Sequence, residues 1–288
     1  MKITHCDGPL GAEIDGLDLR RTYTGDVIHQ IRDLVHRRGV VAIRGQELTP
    51  EQQIAFAQYF GDPEEHVLSK FLAAGHPELL VVSNIIENGR QIGLVDAGSD
   101  WHTDLSYMKR PTYLSMLYSI EVPAEDGRSL GDTQFVSTSH AYETLDDQAK
   151  SRIHGKRAVH SYAARSLARQ AAGSKRPPPS AEELDRTKDV SHPIVREHPA
   201  SGKGCLFVNQ AYTTLVEGLN KDASSELLAS LYRHITRPES IHRHKWRVGD
   251  LVIWDNIQTQ HLATFDYKPE QRRLMHRVSL QGPAPIPL

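Results

Sequence analysis

Cysteine is nearly absent from the 288-residue sequence: Cys6 and Cys205 are the only two, and they form no CxxC spacing. That argues against a disulfide framework and a thiolate zinc site, and it points to a reducing cytoplasm. No apolar run approaches the ~20 residues that a membrane-spanning helix requires. The opening stretch MKITHCDGPLGAEIDGLDLRRT also lacks the apolar core of a signal peptide. Neither sign of charge dominates, since 34 Lys and Arg face 36 Asp and Glu for a formal net charge of -2. No global field therefore favours nucleic acid or an anionic membrane, and neither is expected as a partner. The phosphate-cradling patterns GxGxxG and GxxxxGK[ST] are missing too, which argues against a nucleotide-binding sheet. No internal repeat and no long linker appear, so one domain over 1–288 is expected.

What is present reads as short strands with a few helices. Asp26 to Arg38 has Val27, Ile31, Leu34 and Val35 on one face and Gly39 as its stop. A strand, Val40 to Ile43, follows. Thr49-Pro50-Glu51-Gln52 has the form of a capping box and opens a helix expected to reach Phe60. Leu79 to Ser83 is a strand, and Tyr113 to Val122 alternates with Leu114, Met116, Tyr118, Ile120 and Val122 on one face. Further strands are expected at Lys203 to Asn209, Ile241 to Val248, Leu251 to Trp254 and Arg273 to Leu280. Helices are expected near His140 to His154 and Ser225 to Ile235. This pattern predicts a mainly β fold with peripheral helices, a β-sandwich or jelly roll. The polar, Pro-rich stretch from Ala171 to His192 is the candidate mobile lid loop.

The chemistry starts at SDWHTDLSY, where His102 and Asp104 stand two residues apart. On a strand they would point the same way. An HxD pair alone is weak, because 16 His and 36 acidic residues produce such pairs by chance. Two histidines and one carboxylate on one side of a metal leave three positions open, as non-haem Fe(II) oxygenases require. A second histidine has a setting in WDNIQTQH, where a strand ends in the turn signal Asp255-Asn256 and His261 follows. In QRRLMHR, Arg273, Met275 and Arg277 share one strand face, with the two arginines roughly 13 Å apart at Cα. Two inward guanidiniums are costly unless each meets an anion, and Arg suits carboxylates. Arg272 and His276 face the other way, toward solvent or packing.

Taken together, HTD at 102–104, LGDT at 130–133, LFVNQAYTT at 206–214, HITRPE at 234–239, WDN…QH at 254–261 and QRRLMHR at 271–277 closely resemble the taurine and 2,4-dichlorophenoxyacetate dioxygenases. The likeness also takes in GAEIDGLDLR at 11–20 and IRGQELTPEQQIAFAQYFG at 43–61. It implies a double-stranded β-helix (jelly roll) and an enzyme using Fe(II), 2-oxoglutarate and O2 to hydroxylate a C–H bond, releasing succinate and CO2. It implies iron ligands His102, Asp104 and His261, with Thr133 and Arg273 holding the far carboxylate of 2-oxoglutarate. By the same resemblance, His66, Tyr212 and Arg277 bind a small anionic substrate such as an alkylsulfonate, an alkyl sulfate or an aryloxy acid. Tyr162 is a further pocket candidate. Gly98 and Ser69 replace an Asn and a Tyr of the taurine enzymes, which points away from taurine itself. Family members are often dimers or tetramers, so a homo-oligomer is expected.

Other clusters have plainer readings. His242 and His244 form an HxH but have no third ligand, so they read as exposed or cross-strand residues. His234 and His276 read as helix-end and strand-surface residues. Trp101, Tyr107 and Trp254 read as packing beside the site, Cys205 as a buried small hydrophobe, and Lys175-Arg176 as a solvated loop. Two rival functions remain at this point: a Zn(II) hydrolase, which lacks an evident general base, and an inactive binding protein on the same fold.

Overall fold

In the computed structural model, residues 1–66, 69–174 and 176–281 are described. Their centre is a nine-stranded sheet. Strand Thr112–Glu121 pairs antiparallel with Leu251–Asp255 on one side and with Leu274–Gln281 on the other. Val40–Ile43 flanks Leu251–Asp255, and His76–Ser83 flanks Leu274–Gln281. A second, smaller sheet sets Thr133–Ser137 between His242–His244 and Thr259–Ala263. The two faces of a jelly roll are these two sheets, and the site lies between them.

Side-chain alternation decides what each face meets. Leu114, Met116 and Tyr118 point outward with Leu251, Ile253, Val278 and Leu280. They bury against helix Gly25–Arg38, through Ile28, Ile31, Leu34 and Val35, and against Phe56 and Ala57 of helix Pro50–Ala57. The opposite face carries Leu117, Val252, Trp254 and Met275 into the space between the sheets. Ser115 and Arg277 share that inward face, so the strand periodicity itself brings polar groups to the centre. Val122, expected beside Leu114, instead packs with the inner cluster, beyond the irregularity that pairs Leu274 with Glu121 and Met275 with Ser119.

The helix starts and stops follow capping chemistry. Gly39 ends the first helix at φ 68°, its N–H returning to Val35 O at 2.7 Å. Thr49 and Gln52 close the expected capping box at 3.0 and 3.3 Å. That helix stops at Ala57, short of Phe60, because the following turns tighten to i→i−3 bonds, Tyr59 to Phe56 and Phe60 to Ala57. The single helix expected over His140 to His154 is two, Thr138–Glu143 and Asp147–Ile153, since both Ser137 and Asp146 act as N-caps. The later helix is longer than expected, Lys221–Ile235, and opens at Asn220. The strands expected at 203–209 and 241–248 shorten to Gly204–Leu206 and His242–His244. Ala171 to His192 is not all loop: it includes helix Ala181–Arg186 and most of strand Val190–Pro193. No described helix is long and apolar enough to cross a membrane.

Candidate active site

His102, Asp104 and His261 meet as expected, with one ligand atom from each lying within 4.8 Å of the others, all three buried. The local geometry differs from the alternating strand read from HxD. His102 forms an isolated bridge with His261, through His102 N to His261 O at 3.1 Å and His261 N to His102 O at 2.9 Å. Asp104 lies in the turn that follows, and the next residue, Leu105, takes a left-handed φ of 48°. A branched apolar side chain in that region is uncommon and is held there by its surroundings. The turn is pinned by Asn256, whose Oδ1 accepts from the Asp104 backbone N–H at 3.2 Å.

His102 and Asp104 are oriented by hydrogen-bond partners behind them, and His261 by ring packing, its Nδ1 having no hydrogen-bond partner. His102 Nδ1 lies 2.9 Å from Asp100 O and 3.0 Å from His261 O. A proton on Nδ1 then leaves the lone pair on Nε2, which is 3.7 Å from Asp104 Oδ1. His261 Nε2 is 3.9 Å from Asp104 Oδ2, and its ring packs between Trp254 and Phe135 at 4.9 and 5.9 Å. Ser115 donates to Asp104 Oδ2 at 2.7 Å and accepts from Asn256 Nδ2 at 2.9 Å. Arg277 Nη1 donates to Asp104 Oδ1 at 2.7 Å. Burial alone would push the Asp104 carboxyl up. Arg277, then the two histidines and Ser115, outweigh it and hold the group well below the usual carboxylate range. Burial pushes both His102 and His261 down, so the imidazoles are neutral near pH 7. Two neutral imidazoles and one carboxylate are the donor set that suits Fe(II).

His66, Tyr212 and Arg277 line one small cleft with His102 and Asp104, of about 50 Å³. His66 is buried and its pKa is pushed down to about 3, by desolvation first and then by the Arg277 charge. Tyr107 packs 4.6 Å from Tyr212 and 5.0 Å from Tyr162, ring centre to ring centre. Gly98 also lines the cleft, and a Cβ there would stand 3.4 Å from His102 Cε1. Thr133 and Arg273 lie outside this cleft wall. Thr133 stands two residues from Phe135, which pairs with His261 across the small sheet. Its Oγ1 accepts from Trp246 Nε1 at 3.0 Å, leaving its own proton to donate. Gly131, at φ 75°, lets the LGDT loop approach Arg273: a Cβ there would sit 3.3 Å from Arg273 Nε. Arg273 is buried, and its Nε has no hydrogen-bond partner. A buried cation with an unmet donor, beside the loop that leads to Thr133, fits the distal carboxylate of a 2-oxo diacid.

Known proteins resemble this chain over nearly its whole length. The family model for the taurine catabolism dioxygenases, the TauD, TfdA family, matches residues 2–279. The chain belongs to that family. This TauD, TfdA-family protein is 35% identical to the 2,4-dichlorophenoxyacetate dioxygenase of Cupriavidus pinatubonensis, over 93% of each chain. It is 32% identical to pentalenolactone F synthase of Streptomyces arenae, covering 96% of this chain and 94% of that protein. Among solved structures it matches AAD-2, crystallised with Mn(II) and N-oxalylglycine, at 28% identity and a TM-score of 0.81, over 99% and 98% of the two chains. The protein is thus an oxidoreductase, an Fe(II)- and 2-oxoglutarate-dependent dioxygenase with a jelly-roll fold. The hydrolase and inactive-binder readings fall away.

Several residues matter that the sequence reading passed over. Ser115 looked like an ordinary polar position on an alternating strand, and Asn256 like a turn residue; both support Asp104. Arg176, read as part of a solvated loop, lines the cleft and ion-pairs with Asp96. His244 is cross-strand to Thr133 but buried rather than exposed, 3.2 Å from Asp250. His234 ends its helix and meets Ala141 O at 2.8 Å. Among the described residues, the only cluster able to hold a metal is the triad.

Proposed function

We propose that the TauD, TfdA-family protein hydroxylates a C–H bond of a small organic anion, an alkylsulfonate, alkyl sulfate or aryloxy acid. The observation that carries this is the placement of Arg277 and neutral His66 in the same cleft as His102 and Asp104. A cation beside the metal-binding face anchors an anionic group there, while a neutral ring adds a directional contact without a second charge. Iron at His102, Asp104 and His261, with 2-oxoglutarate and O2, supplies the oxidation, and 2-oxoglutarate leaves as succinate and CO2. The protein's own share is position and electrostatics. Ser115 and the Nδ1 contacts of His102 hold the donor atoms in place, and Arg273 with Thr133 fixes the co-substrate's far carboxylate. Tyr212 and Tyr107 close the apolar side of the cleft and keep water from the reacting carbon.

The same reading takes 1–288 as one dioxygenase domain in the cytoplasm, working as a homo-oligomer, dimer or tetramer. It takes 171–192 as a lid, supported by Arg176 reaching the cleft wall from within that segment. The test is substrate-stimulated succinate release across a panel of sulfonates, sulfates and aryloxy acids, with Arg277→Gln beside the wild type. The reading expects at least one anion to stimulate release and the variant to raise its KM by at least roughly tenfold, about 1.4 kcal/mol. An uncharged analogue working equally well in both proteins would overturn the anion assignment.

A further inference from the structure

The cleft holds more cationic groups than Arg277. Helix Tyr162–Ala171 opens on Ser161, whose Oγ caps Ala164 N, and presents Arg165 and Arg169 one turn apart. Both line the cleft together with Arg176. Two carboxylates in the same wall, Asp96 and Asp100, serve these three guanidiniums. Arg165 pairs with Asp100 and also donates to Ser99 Oγ at 3.1 Å. Arg176 pairs with Asp96, leaving Arg169 only a distant approach to that carboxylate, Nη1 to Oδ2 at 4.0 Å. The Tyr162 hydroxyl accepts a hydrogen bond from Arg169 but, as a neutral group, does not balance its charge.

The donor inventory shows where the deficit falls. Arg169 Nε and Nη2 are both buried without a hydrogen-bond partner, and so is Arg176 Nε. Nε and one Nη form the side-on fork that takes a carboxylate or sulfonate through two parallel bonds. Leaving such a fork unmatched is costly, and an anion in it would meet both donors at once. Tyr107, Tyr162 and Tyr212, with Leu94 and Leu105, line the same cleft as Arg277, Arg169 and Arg176. An occupant meeting both sets of cations has two acidic groups joined by an apolar spacer.

We propose that Arg169 and Arg176 form a second anion subsite in the cleft, and that the substrate is an α,ω-dianion with its reacting carbon near Arg277. This inference rests on the function proposed above, since it takes Arg277 to be the anion site beside iron. It narrows the substrate class from any small anion to one bearing two acidic groups.

Calorimetric titration of the full chain with hexane-1-sulfonate and with hexane-1,6-disulfonate tests it, run both without iron and anaerobically with Fe(II) and 2-oxoglutarate. The wild type should bind the disulfonate at least roughly tenfold more tightly than the monosulfonate, the ratio for about 1.4 kcal/mol. The double variant Arg169→Gln/Arg176→Gln should bring that ratio close to one. Asp96→Asn should raise the ratio, because it removes the carboxylate that competes for the same guanidiniums. That second variant keeps the inference testable if the double variant fails to fold. The inference is overturned if the wild type binds both probes equally or neither, or if the preference survives in the double variant. The visible band of the Fe(II)–2-oxoglutarate complex reports separately on the reading beneath it: a normal band with no dianion preference sinks the second subsite alone.

Discussion

Replacing Ser115 by Ala isolates the support behind the metal-binding carboxylate. Its hydroxyl is fully buried, donates to Asp104 Oδ2 at 2.7 Å and accepts from Asn256 Nδ2 at 2.9 Å. Deleting it takes one charge-assisted bond from the carboxylate, worth about 1.5–3 kcal/mol, and leaves an amide N–H short of an acceptor. Partners one step behind a metal ligand change metal affinity by roughly 10–100-fold, so Fe(II) affinity should drop within that range. Folding stability should fall by about 2–4 kcal/mol. Ser119→Ala is the matched reference. Ser119 is equally buried on the same strand, donates to Arg247 O at 2.6 Å and accepts from Asp250 N at 3.0 Å, away from the triad. It should lose comparable stability with no change in metal affinity. The assay is anaerobic metal titration followed by tryptophan fluorescence, with urea unfolding on the same samples. If both variants shift metal affinity alike, or Ser115→Ala leaves it untouched, the orienting role assigned to Ser115 is wrong.

Two further outcomes follow from other parts of the structure. Arg273→Gln should weaken 2-oxoglutarate binding by at least roughly 100-fold, about 2.8 kcal/mol, while Fe(II) binding stays at the wild-type level; equal loss of both would deny it a specific role. Acid should destabilise the fold through His160 and His192, pushed down to about 3 and about 4 by burial first and then by neighbouring positive charge. Because the folded pKa values lie below the unfolded value of about 6.5, the neutral rings favour folding above that pH, and stability is lost as pH falls toward them. At pH 5 each costs about 2 kcal/mol relative to pH 7. Urea midpoints at the two pH values should show the drop in the wild type and a shallower one in His160→Gln/His192→Gln; parallel curves would contradict it.

Much of this was readable in the sequence because the relevant signals are local. The capping box at Thr49 and Gln52, the Gly39 stop and the outward stripe Leu114, Met116, Tyr118 each depend on residues close in the chain. The triad was legible because its motifs flank fixed turns. What escaped depends on long-range contact. Ser115 and Asn256 are separated by 141 residues, and only the pairing of Thr112–Glu121 with Leu251–Asp255, the strand that leads into Asn256, makes them neighbours behind Asp104. The HxD pair was read as a strand because alternation and a tight turn both bring residues i and i+2 to one side. The left-handed Leu105 has no composition signal at all. Arg176 looked solvated because its partner Asp96 lies 80 residues away. Thr133 and Arg273 were singled out by motif, but Gly131, whose lack of a side chain lets the LGDT loop approach Arg273, shows its purpose only in three dimensions.

The most direct test of the account is anaerobic titration of the metal-free protein with Fe(II) and 2-oxoglutarate, followed in the visible region. The triad with Arg273 predicts a charge-transfer band that saturates at one Fe(II) and one 2-oxoglutarate per chain. It should be absent in Asp104→Ala and require far more 2-oxoglutarate in Arg273→Gln. A folded wild-type protein that binds neither component, or a band that survives loss of Asp104, would contradict the assignment of His102, Asp104 and His261 as the iron site.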